Sequence, residues 1–194
     1  MPILLLDGSP REGGNTEILL NRVLDGIHAA GGEAELLHLR RMRIAPCAAC
    51  DLCKTAPRCA IDDDMAALYP KLAAARRLVI GAPIYFYGLP AQAKALVDRC
   101  QFFWNRRFRA QTDASSAPPP RRYGHFVAVA ATHGPRCFDG ARLTLRALFA
   151  TLGLQPAEEL LVRGVDERGA VAARGEALDA AFALGQRVAA SHAG

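Results

Sequence analysis

The chain has 194 residues, with 24 Lys or Arg against 19 Asp or Glu, and a formal charge of +5. The basic side is 21 Arg to 3 Lys, and 51% of residues are apolar, 37 of them Ala. This composition excludes a disordered chain, a collagen and a disulfide-stapled miniprotein, and a chain of this length buries roughly 70% of its surface on folding.

Met1-Pro2 leads into Ile3–Leu6, an apolar run of four residues. With no basic segment before it, that run is too short for a secretory leader and reads as a buried strand feeding Asp7-Gly8-Ser9-Pro10. Asn15-Thr16 then precede Ile18, Leu19, Val23, Leu24 and Ile27 at helical spacing, stopped by Gly31-Gly32, which predicts a capped helix. Ala34–Leu39 alternates as a second strand. A Cys-rich loop over 46–60 follows, and Asp62-Asp63-Asp64 cap a helix running to about Ala75. Leu78–Ile80 is a third strand, ending at Gly81-Ala82-Pro83. Beyond the loop Ile84–Leu89, one helix is expected from Pro90 to about Asn105. The stretch 106–122, with Ser115-Ser116 and Pro118-Pro119-Pro120, reads as an irregular surface loop. Phe126–Ala131 is a fourth strand, Ala141–Leu152 a helix, Leu160–Val165 a fifth strand and Ala170–Ala190 a closing helix.

Strands alternating with helices in this way predict one α/β domain over 1–194, a doubly wound parallel sheet covered on both faces. No stretch reaches the roughly 18–20 apolar residues of a membrane span. A cytoplasmic protein without membrane contact is expected, in which clustered thiols point to metal more than to disulfides.

In such a sheet, ligands bind where the strands end at their carboxyl side. Three loops there carry unusual chemistry. Gly8–Thr16 offers curling glycines, side-chain donors from Ser9, Asn15 and Thr16, the charge of Arg11 and the N–H groups of a helix start, a combination that suits a phosphate. Its spacing matches neither the Walker nor the dinucleotide fingerprint, and a simple turn with an Asn15 or Thr16 cap is the competing reading. Pro83-Ile84-Tyr85-Phe86-Tyr87-Gly88 sets three aromatics past a buried strand, where a planar ligand, helix packing or a subunit contact would use them. Thr132-His133-Gly134 closes the fourth strand with a polar group and a flexible backbone.

Cys47, Cys50, Cys53 and Cys59 place four thiols on one loop, while Cys100 and Cys137 stand apart as structural residues. Three Cys at three-residue spacing with a fourth further on suit four-thiolate ligation of a [4Fe–4S] cluster. A zinc site and unliganded redox thiols remain the alternatives.

Ser9-Pro10-Arg11 with Asn15-Thr16, Gly81–Gly88 and Lys94-Ala-Leu-Val-Asp98-Arg99 together resemble the flavodoxin-like NAD(P)H-dependent FMN reductase family over about residues 1–155. The resemblance implies a five-stranded sheet of order 2-1-3-4-5. It also implies FMN, with its phosphate on Ser9, Arg11, Asn15 and Thr16 and its ring on Pro83–Gly88 and near Thr132–Gly134. NAD(P)H is implied as donor. A homodimer or homotetramer built on the helix of Lys94, Asp98 and Arg99 is also implied, with a use there for Phe102, Phe103 and Trp104. The Cys motif resembles that of the iron–sulfur flavoproteins, in which electrons pass between a [4Fe–4S] cluster and FMN, and this implies a small-molecule or ferredoxin-like redox partner. The scattered Arg residues, without a recognition helix or an RNP-like motif, argue against a nucleic-acid partner. The charge of +5 suits anionic cofactors and an acidic electron carrier.

Overall fold

β1 (Ile3–Asp7), β3 (Arg77–Pro83) and β4 (Tyr123–Ala130) are apolar runs buried on both faces, as the middle of a parallel sheet requires. In the computed structural model, which describes residues 3–110 and 121–190, β2 (Ala34–His38) and β5 (Gln155–Arg163) flank them. The order is β2-β1-β3-β4-β5 and every pairing is parallel. The connections carry α1 (Asn15–Ala29), α2 (Leu52–Thr55), α3 (Met65–Ala74), α4 (Ala91–Arg99), α5 (Gln101–Ala110), α6 (Asp139–Leu152) and α7 (Gly175–Ala190). Two 3-10 turns, Leu39–Arg41 and Ala170–Ala173, complete them.

Side chains alternate across the sheet. Leu4, Leu6, Leu78, Ile80, Phe126 and Ala128 join the apolar layer shared with α3, α4 and α6. Ile3, Leu5, Val79, Val127 and Val129 join the layer under α1 and α7. Those two helices touch through backbone: a Cβ on Gly26 would stand 2.0 Å from the Phe182 carbonyl oxygen, and one on Gly185 2.0 Å from that of Val23. Glycine is required at both positions for this approach. On the other layer, Arg122 donates to the carbonyls of Leu72 (2.7 Å), Ala75 (2.8 Å) and Leu152 (2.7 Å), so one guanidinium satisfies the closing ends of α3 and α6.

Several boundaries depart from the sequence-based expectation. Helix α1 is capped by Gly14 without a side-chain bond, and Asn15 and Thr16 lie inside its first turn. The expected helix Pro90–Asn105 is two helices, broken at the buried Cys100, whose carbonyl accepts from both Phe103 and Trp104. Of the expected irregular stretch 106–122, residues 106–110 continue α5 and 111–120 lie outside the described residues. β5 begins five residues earlier than Leu160, since Gln155–Glu159 are exposed on an edge strand and carry no apolar signal. The closing helix is split into a 3-10 turn and α7. Among the described residues no helix is long and apolar enough to cross a membrane.

Candidate functional site

The loop after β1 is held from beneath by charge. Asp7 is fully buried; its Oδ1 accepts the N–H of Ser9 at 2.9 Å, and its Oδ2 meets Arg40 Nη1 at 2.5 Å and His38 Nδ1 at 2.9 Å. Glu17, one turn into α1, accepts the N–H of Gly13 at 2.6 Å and Arg40 Nη2 at 3.1 Å. Ligating atoms of Asp7, Glu17 and His38 lie within 4.8 Å of one another. Arg40 already supplies that trio with a cation, so the group works as a brace and not as a metal site. Above the brace, Ser9 Oγ accepts the N–H of Arg11 at 3.2 Å. The Thr16 hydroxyl is buried with no hydrogen-bond partner. A buried hydroxyl left without a partner costs about 1–3 kcal/mol, so an acceptor that reaches it is favoured.

The expected donor Asn15 is engaged elsewhere. Its Nδ2 donates to the Glu167 carbonyl at 2.8 Å and its Oδ1 accepts from the N–H of Val171 at 3.1 Å. Arg11 Nη1 reaches the Asp166 carbonyl at 3.3 Å. Residues 165–171, the segment after β5, are thereby strapped to the loop after β1. Sequence reasoning passed over this segment because it holds no motif, although it leaves the carboxyl end of a strand like the other three.

The aromatic loop is a tight hairpin. Tyr85 and Gly88 exchange backbone hydrogen bonds at 3.1 and 2.9 Å, and the two residues between them, Phe86 and Tyr87, sit at φ 49° and 63°. Each such non-glycine residue costs of order 1–3 kcal/mol and persists where its surroundings enforce it. Here the Tyr87 carbonyl accepts the N–H of Ala141 at 3.0 Å, and a Cβ on Gly140 would stand 2.6 Å from that oxygen. Phe86 is 103% exposed and Tyr87 62%, so strain is spent on presenting rings to the outside.

One cavity unites these parts. It is lined by Ser9, Arg11, Gly14, Asn15 and Thr16 from the first loop and by Pro83, Ile84 and Tyr85 from the hairpin. Val129 and Ala131 at the end of β4, and Val165, Asp166 and Arg168 from the strap, complete the lining. Phe86, Tyr87 and Gly88 extend the hairpin beyond the lining. Thr132, His133 and Gly134 are not part of it either: His133 is exposed, and its ring lies so close to Gly164 that a Cβ there would meet Cε1 at 2.3 Å.

The loop after β2 is the second center of chemistry. Cys47 and Cys50 are exposed, Cys53 and Cys59 half-buried, and all four line one cavity with Ile61, Arg99 and Phe102. Arg99, 1% exposed at its side chain, clamps both feet of the loop. Its Nη1 donates to the Ala45 carbonyl at 3.0 Å and Asp63 Oδ2 at 2.6 Å. Its Nη2 donates to Asp63 Oδ1 at 3.0 Å and the Ile61 carbonyl at 3.3 Å. The expected outward face of α4 therefore keeps Lys94 and Asp98, paired at 2.7 Å, and loses Arg99 to the interior. Asn105 Nδ2 donates to Cys53 Sγ at 3.1 Å. Burial pushes the Cys59 thiol up, but the Ile61 N–H, the Tyr69 hydroxyl and the Arg99 guanidinium outweigh it and hold the thiol below its ordinary value. Cys100, in the core, is pushed up to about 12 by burial.

Among the described residues the Cys sulfurs form no group of three within 4.8 Å. Four thiols on one loop are the donor set of a [4Fe–4S] cluster and of a structural zinc site alike.

Residues 1–163 match the NADPH-dependent FMN reductase family. An iron–sulfur flavoprotein of Methanosarcina thermophila is 35% identical over 117 residues, 60% of this chain and 61% of that protein. One of Methanocaldococcus jannaschii is 37% identical over 99 residues, 51% of each. The chain thus spans about half to three-fifths of the curated relatives it matches. Among solved structures, the NAD(P)H:quinone oxidoreductase from Methanothermobacter marburgensis superposes with a TM-score of 0.74 at 18% identity, over 97% of this chain and 96% of that one. An archaeal flavodoxin gives 0.57 at 11% identity, over 98% of each chain. At such identities these likenesses speak for the fold, which is flavodoxin-like. With the match over 1–163, the chain belongs to the NADPH-dependent FMN reductase family.

Proposed function

We propose that the protein is an FMN-dependent NAD(P)H oxidoreductase of the iron–sulfur flavoprotein kind, with a [4Fe–4S] cluster on Cys47, Cys50, Cys53 and Cys59. Electrons pass between FMN, the cluster and an external small-molecule or ferredoxin-like partner. The observation that carries this reading is the convergence of four thiols on one cavity, in a chain whose loop after β1 lines another cavity with an unpartnered hydroxyl.

FMN, when bound, supplies acceptance of a hydride and release of single electrons. The residues of this chain supply binding and placement. Ser9, Arg11, Thr16 and the first N–H groups of α1 hold the phosphate. Pro83, Ile84 and Tyr85 give the ring an apolar bed, and the strained hairpin sets Phe86 and Tyr87 at its rim. Cys59 is eased toward the thiolate that ligation requires. Arg43 and Arg58 are exposed around the Cys loop, two cations suited to an acidic carrier, whereas Lys54 is paired with Asp51 at 2.9 Å. Assembly as a homodimer or homotetramer, through the Lys94–Asp98 face of α4 and the exposed rings, and a cytoplasmic setting belong to the same proposal.

The test is anaerobic purification with a spectrum and metal analysis. Flavin bands with a broad shoulder bleached by dithionite, and about four iron and four sulfide per chain, are expected. Cys50→Ala is expected to lose shoulder and iron while keeping FMN. Zinc without iron, or flavin bands with neither metal, would sink the cluster.

A further inference from the structure

The strap after β5 carries one arginine, Arg168, whose guanidinium makes no hydrogen bond or ion pair among the described residues. Val165 is buried and its N–H donates to the Ala130 carbonyl at 3.1 Å; Val171, at the far end, is fully buried. Between them Arg11 holds the carbonyl of Asp166, and Asn15 holds that of Glu167 and the N–H of Val171. The strap is pinned at four points, and Arg168 projects from the pinned stretch across the phosphate loop. Its Nη2 and Nε lie 3.3 and 3.7 Å from where a Cβ on Gly13 would stand. Arg168 lines the same cavity as Ser9, Arg11 and Thr16, and its charge also acts on Glu12, an exposed carboxylate already paired with Arg41.

We propose that Arg168 is a second cation for the phosphate of the bound flavin, and that Asn15 serves this phosphate through the strap and not as its ligand. The inference rests on the FMN reading above. A phosphate monoester carries close to two negative charges at neutral pH. Arg11 supplies one positive charge and the α1 N-terminus about half of another, which leaves the dianion undercompensated. Arg168 makes up the difference. It also explains why Asn15, first residue of α1 and well placed for an anion, turns both its polar atoms to the backbone of 167 and 171. The strap lies past residue 163, where the family likeness stops, so the likeness does not assign this role.

Riboflavin, which lacks the phosphate, separates a contact with that group from a general role in packing. Flavin-free protein is titrated with FMN and with riboflavin, following flavin fluorescence, in the wild type, Arg168→Gln and Arg168→Lys. Loss of one charge-assisted hydrogen bond weakens FMN about tenfold in Arg168→Gln. Riboflavin affinity stays unchanged, and Arg168→Lys recovers most of the loss. Equal losses for both flavins, or unchanged FMN affinity in Arg168→Gln, would overturn the proposal. A wild type that binds FMN no better than riboflavin overturns the underlying FMN reading itself, a result visible before any variant is made.

Discussion

The loop after β1 is braced along its length by Asp7, Glu17 and Arg40, so its backbone is set before any ligand arrives. The Cys loop after β2 is clamped at its two feet by Arg99, while Cys47 and Cys50 stand exposed between them. The first is a preorganised site, in which little is reordered on binding. The second has its ends fixed and its middle open, so a metal group held there would complete its structure, with loading linked to local folding. The two loops share chain as well: the 3-10 turn Leu39–Arg41 sends Arg40 and Arg41 back to Asp7 and Glu12, then leads into the Cys loop.

Removing the clamp tests this contrast most severely. Arg99→Ala leaves Asp63 without its buried cation and frees both feet of the loop, a loss of about 3–5 kcal/mol for a broken buried pair. Urea denaturation measures it. Iron content should fall with it, while FMN affinity per folded molecule should hold, because none of the phosphate loop rests on Arg99. Loss of FMN and iron in step would show the loops to be one cooperative unit.

Acid should weaken both loops together, since the sensitive group is in the sheet that carries them, on β4 and near the end away from both. His125, third residue of β4, is buried with neither ring nitrogen hydrogen-bonded. Burial, helped by the charges of Arg77 and Arg187, lowers its pKa from 6.5 to about 4. The unfolded chain takes up the proton near 6.5 and the folded chain near 4. The resulting stability is full above 6.5 and is lost as pH falls toward 4, by up to about 3 kcal/mol. His125→Leu should flatten this part of the profile in urea midpoints taken at successive pH values. An unchanged slope would place the acid sensitivity elsewhere.

A smaller effect isolates the orphan hydroxyl. Thr16→Val keeps the shape and removes the oxygen. Since that oxygen has no partner in the free protein, stability should stay within about 0.5 kcal/mol or rise, while FMN affinity falls about tenfold. A loss of stability with unchanged affinity would mean that the hydroxyl serves the fold.

What the sequence disclosed about these two loops follows burial. β1, β3 and β4 are legible because both faces are covered, and any apolar run of that length has few other places to go. Half of β5 was hidden because an exposed edge leaves no apolar trace. The break at Cys100 was hidden for another reason. Local propensity continues the helix, and beside the break Arg99 turns inward to Asp63, 36 positions earlier, a contact that no local pattern encodes. A fully buried Arg is rare enough that composition assigns it to the surface. Residue chemistry likewise drew attention to Ser9, Arg11 and Thr16, which line one cavity, and to the four Cys, which line another. It did not show that Asn15 faces a strap 152 positions away, or that His133 turns to Gly164 and leaves Ala131 on the cavity.

The finest distinction between the loops concerns Asn105, which bonds the Cys53 sulfur directly, whereas the brace of the loop after β1 acts on its backbone. On the cluster reading proposed above, the Asn105 N–H on Cys53 Sγ would withdraw charge from the thiolate and so favour the reduced state of the iron–sulfur group. Asn105→Leu, of similar size, removes that donor at a half-exposed place, so stability should change by under about 1 kcal/mol and iron content should persist. The midpoint potential of the iron–sulfur signal, followed by EPR in a redox titration, should move to more negative values while that of the flavin stays put. Loss of iron would make Asn105 a structural support of α2 and α5. A potential that does not move, with iron retained, would mean that the sulfur's charge is governed from within the loop itself.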